Sequence, residues 1–137
     1  MREITPPRSE RLKRQVAGQA MTWQNVAEWY RRVIAEHRWQ FKPMLDLVER
    51  IANSSAATAL FPTLSMGRLL ITDSSTFYFD DNVLFIRYDQ SSRQFEFEHR
   101  TLARNDDRKT CGESEAIQTL DLFLRYKYGV LLQTPAA

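Results

Sequence analysis

Between Arg68 and Arg100, short runs of apolar, β-branched and aromatic residues are separated by the polar clusters Asp73-Ser74-Ser75, Asp80-Asp81-Asn82 and Gln90-Ser91-Ser92. This punctuation constrains the fold more than any other feature of the chain. Asp, Asn and Ser side chains bond their own backbone and so close tight turns, while the runs between them have the residue types that suit a pleated surface. The spacing predicts an antiparallel meander with strands at about 68–72, 76–79, 83–88 and 93–100. In the last of these Phe95, Phe97 and His99 share one face and Glu96, Glu98 and Arg100 the other. The strand before it is apolar on both faces, with Leu84, Ile86 and Tyr88 opposed to Val83, Phe85 and Arg87. One sheet face is therefore core and the other is mixed.

Helical spacing brackets the meander. Thr22 precedes Trp23, Val26, Ala27, Tyr30, Val33, Ile34 and His37, which recur at a 3.6-residue period. Thr22 is placed to cap this helix, with Met21 and Val26 as a hydrophobic staple. Pro43 suits the first turn of a second helix that carries Met44, Leu47, Val48 and Ile51. Asn53-Ser54-Ser55 reads as a stop or weak break, Ala56 to Phe61 as a helical continuation, and Pro62 as its end. Residues 103–112 read as a charged loop. Ala116, Ile117, Leu120, Phe123, Leu124 and Tyr128 then form a final amphipathic helix, with Gly129 as its left-handed terminator. The order helix, helix, meander, helix predicts an α+β two-layer sandwich, with the helices on one face of a three- or four-stranded antiparallel sheet.

A length of 137 residues fits one core. The expected division is a flexible basic arm over 1–20, one domain over 21–132 and a frayed tail over 133–137. No run approaches the roughly 18 apolar residues of a membrane span, and Met1 to Pro7 lacks an apolar leader, so a cytoplasmic protein is expected. A single cysteine, Cys111, excludes an intramolecular disulfide and any cysteine-based structural zinc site. The net charge of +2 implies no partner. Its excess lies in the arm, where Arg2, Arg8, Arg11, Lys13 and Arg14 outnumber Glu3 and Glu10.

Strong catalytic signatures are absent. The four glycines, Gly18, Gly67, Gly112 and Gly129, are too scattered for a phosphate loop or nucleophile elbow, and His37 and His99 belong to no metal-binding pattern. Both histidines read as packed or boundary residues. Asp89, Glu96 and Glu98 invite a magnesium site, although charge on an outer strand face explains them more simply. Thr110-Cys111-Gly112-Glu113 has capping-box spacing, which would put the thiol in the first turn of the last helix, without a base to make it catalytic. Trp23, Trp29 and Trp39 read as core or rim residues.

The favoured function is a non-enzymatic protein-interaction module without a cofactor. Its interface would be the mixed face of Tyr78, Val83, Phe85, Arg87, Glu96 and Glu98, covered most simply by a second copy in a homodimer. One alternative is nucleic-acid association through Arg8, Arg11, Lys13 and Arg14. The other is a metal-dependent hydrolase or nuclease using the strand carboxylates.

Overall fold

The computed structural model describes residues 18–103 and 106–132, with backbone only for Gly18 and Gln19. Helix α1 spans Trp23–His37, and Thr22, in an extended conformation, accepts the N–H of Asn25 through its hydroxyl as the cap. Arg38 adopts the left-handed conformation that ends the helix, and the Trp39 N–H reaches back to the Val33 carbonyl. Helix α2 spans Lys42–Ala52 with Pro43 in its first turn. Helix α3 spans Ala116–Tyr128 and stops at Gly129, also left-handed.

Among the described residues the main sheet has five antiparallel strands, in spatial order β2 (Phe61–Ser65), β3 (Arg68–Thr72), β5 (Val83–Asp89), β6 (Gln94–Arg100) and β7 (Asp107–Gly112). A separate two-stranded ribbon joins β1 (Gly18–Gln19) to β4 (Thr76–Phe77). The α+β class, the meander and the three helices are those expected.

Three local expectations are corrected. Ala56 to Phe61 do not continue the helix: Ser54 caps a short 3-10 turn at Ser55–Thr58, and β2 follows from Phe61. Pro62 is tolerated in β2 because the strand lies at the sheet edge, and its carbonyl accepts the Met21 N–H. The strand at 76–79 shortens to β4 and leaves the meander to pair with β1. The charged loop at 103–112 contains β7, whose first four residues are exposed, so its charges are those of a solvated edge strand. Cys111 therefore lies in β7 opposite Phe95, not in the first turn of α3. A 3-10 turn at Glu113–Glu115 separates the two, and no side chain caps it.

All three helices cover one sheet face. Leu69, Ile71, Leu84, Ile86, Tyr88, Phe95, Phe97 and Cys111 join the buried residues of α1, α2 and α3 in a single cluster. Phe97 stacks on Phe123 of α3 at 5.7 Å. No described helix is long and apolar enough to cross a membrane.

Candidate functional site

The opposite sheet face is closed by the chain itself. Phe85 is 4% exposed and packs with Leu70, Phe77 and Val83 in a second buried cluster. Phe77 comes from the β1–β4 ribbon, and the guanidinium groups of Arg68 and Arg100 lie 4.9 and 4.1 Å from the Phe85 ring centroid. Phe85, expected to be exposed on this mixed face of an isolated monomer, is thus buried. Phe77 and two arginine side chains supply cover that a second copy was expected to provide. Tyr78 is half-buried beside the ribbon.

The charged residues of that face pair locally. Arg87 bonds Glu96 at 3.2 Å, and Glu98 lies between Arg100 at 3.1 Å and Arg108 at 3.0 Å. Partial burial alone would raise the Glu98 carboxyl, but the hydrogen bonds and charges of the two arginines outweigh it and hold it below its usual range. Asp89 caps the β5–β6 turn by accepting the N–H groups of Ser91 and Ser92, which keeps its carboxyl low as well. Asp89, Glu96 and Glu98 thus each have a partner of their own. Among the described residues no group of three His, Cys, Asp or Glu side chains is placed to hold a metal ion. Arg8, Arg11, Lys13 and Arg14 lie outside the described residues.

The two histidines differ in setting. His37 is exposed, with its ring 5.8 Å from that of Trp39. His99 is buried; its Nε2 bonds Asn82 Oδ1 at 2.9 Å, its ring meets Tyr128 at 5.6 Å, and its Nδ1 has no partner among the described residues. A proton on Nδ1 would therefore have no acceptor. Burial lowers the His99 pKa, and the charge of Lys127 adds to this against the opposing pull of Asp107, Asp106 and Asp73. An unfolded histidine takes up its proton at about pH 6.5. The unfolded state therefore gains the proton first, and stability is lost as pH falls from there to the lower folded pKa, by up to about 1.4 kcal/mol per pH unit. Chemical denaturation between pH 7 and pH 5 should show this loss, and His99→Gln should flatten it. A native curve that is already flat over this interval would contradict the buried neutral imidazole. The low carboxylates Asp89, Glu98, Asp107 and Glu113 act in a separate window, below about pH 4.5.

An open hollow of about 680 Å³ lies at one end of the sheet, lined by Trp29, Trp39, Phe41, Leu64, Met66, Gly67 and Gln90. Three stretches distant in sequence build it: α1 with the linker that follows it, the β2–β3 hairpin and the β5–β6 turn. Their relative positions are tied. The Tyr30 hydroxyl, which burial pushes to a raised pKa, donates to the Gly67 carbonyl at 3.0 Å. The Gln40 N–H donates to Gln90 Oε1 at 2.6 Å. Trp39 meets Trp29 edge-on at 6.2 Å and Phe41 at 5.7 Å. A Cβ at residue 67 would touch the Phe41 ring at 3.6 Å, and the positive φ of Gly67 independently favours glycine.

Met66 is the exceptional member. It is 93% exposed and, with φ 55, left-handed, at the first central position of the two-residue turn between Ser65 and Arg68. Such turns need positive φ at both central residues and favour Asn, Asp or Gly there. A methionine costs folding energy at this position and places a mobile apolar side chain in water. Sequence reading missed Met66 and Gln90. The signal for the turn is Gly67 between two apolar runs, but Pro62 just upstream obscured the first run as a strand. Comparison with protein-family models, curated proteins and solved structures finds no match to this chain.

Proposed function

We propose that the protein is a non-enzymatic interaction module whose contact surface is the Trp39–Met66 hollow, not the mixed sheet face. The observation that carries this reading is Met66, a strained and almost fully exposed apolar side chain at the lip of an aromatic hollow. Backbone strain concentrates where contact rather than folding selects the residue. The surrounding hydrogen bonds hold the hollow in shape before a partner arrives, which reduces the ordering cost of binding. Trp39, 42% exposed, supplies the kind of large, rigid apolar area that dominates protein interfaces.

Stability and binding should separate at Met66. Asparagine tolerates the left-handed conformation, so Met66→Asn should raise unfolding free energy by about 1 kcal/mol while weakening partner capture. The measurement compares the immobilised native protein with Met66→Asn and Trp39→Ala in an extract of the source cell, with quantitative mass spectrometry as the readout. Proteins held by the native chain should be lost from Trp39→Ala by about tenfold or more. Equal retention by all three proteins would sink the assignment of the hollow.

A further inference from the structure

Trp39 also lines a second hollow, of about 370 Å³, together with Arg38, Lys42, Tyr88 and Arg93. The two hollows therefore share one aromatic wall but differ in chemistry. The first contains no charged lining residue; the second contains three cations and no carboxylate. Lys42 is engaged by Asp46 and Arg93 by Glu113, both from outside the lining, while Arg38 has no carboxylate partner among the described residues. One positive charge is left over at this spot in a chain that is close to neutral as a whole.

Building on the interaction reading above, we propose that the site takes a segment of a partner protein in which a large apolar side chain is followed closely by a carboxylate. The apolar side chain fills the Trp29–Trp39–Met66 hollow, where a flexible thioether adapts to its shape. The carboxylate meets Arg38, with Lys42 and Arg93 beside it. Charge complementarity across such a rim sets orientation and discriminates between partners. A single-stranded nucleic acid would also offer a ring to Trp39 and a charge to Arg38, but it would need a run of cations to follow its phosphates. Here two of the three cations already hold carboxylates of this chain, and the charge left over matches one acidic side chain.

Selection of a displayed random-peptide library on the full-length protein tests this. The selected peptides should share an aromatic or large aliphatic residue with Asp or Glu within the next few positions. They should lose affinity by about tenfold or more on Trp39→Ala. They should also lose affinity on Arg38→Glu, and less on Arg38→Gln, with circular dichroism confirming that each variant is folded. Changing the peptide acids to amides should weaken binding to the native protein and remove the sensitivity to Arg38→Glu. Apolar peptides without acids that still depend on Trp39 would overturn the charge inference and leave the hollow intact as a binding site. Peptides indifferent to Trp39→Ala, or a selection without enrichment, would overturn both. Binding of a labelled oligothymidylate that depends on Trp39 and Arg38, with no acidic peptide selected, would assign the site to nucleic acid instead.

Discussion

Phe85→Ser is expected to destabilise the fold strongly, not to dissociate a dimer. Phe85 packs against Leu70, Phe77 and Val83 between the guanidinium groups of Arg68 and Arg100. Truncating a buried phenylalanine costs roughly 3–5 kcal/mol, and the serine hydroxyl would add an unpaired polar group. Typical domains have only about 5–15 kcal/mol in total, so the loss should lower the melting temperature by on the order of 10 °C or more. Arg87→Ala is the control: its pair with Glu96 is half exposed, and such pairs contribute at most about 1 kcal/mol. Thermal unfolding monitored by circular dichroism, with light scattering on the same samples, decides the matter. A Phe85→Ser chain that keeps its melting temperature while a native dimer becomes a monomer would return this face to the role of an interface.

The second large effect concerns the thiol. Cys111 in a helix N-terminus would be activated, whereas Cys111 in β7 is buried opposite Phe95 and beneath the helices. An aromatic disulfide reagent should therefore react with the folded protein about a thousandfold more slowly, or slower still, than with the urea-unfolded chain. That factor corresponds to an opening free energy of about 4 kcal/mol, within the range of sub-global opening. The dependence of the rate on low concentrations of urea would report how much of the β6–β7 edge must open. Reaction as fast in the folded as in the unfolded protein would place the thiol at the surface and contradict the pairing of β7.

Thr22, Pro43 and Gly129 marked helix boundaries because capping, a fixed φ and a left-handed stop are local effects, readable within a few residues. The alternation in β6 was equally readable, since one face of that strand is core and the other is not. The edge strands were not. β2 contains a proline and β7 opens with three exposed charged residues, and both persist because an inner strand supplies hydrogen bonds along one side. Pairing of this kind depends on a partner distant in the chain.

By itself the sequence determined the class of fold, the three helices, the inner strands and the absence of the glycine patterns that phosphate loops require. Each follows from periodicity or from a residue's own backbone preference, so neighbouring positions contain the information. Tertiary structure alone decided that the second sheet face is closed and where the hollow around Trp39 forms. The mixed face looked unpartnered because Phe77, Arg68 and Arg100 could not be seen to fold over Phe85. The hollow was invisible because Trp29, Trp39, Met66 and Gln90 become neighbours only after the two hairpins and the helix linker meet at one end of the sheet. Burial is a sum over contacts from the whole chain, and no local pattern contains that sum.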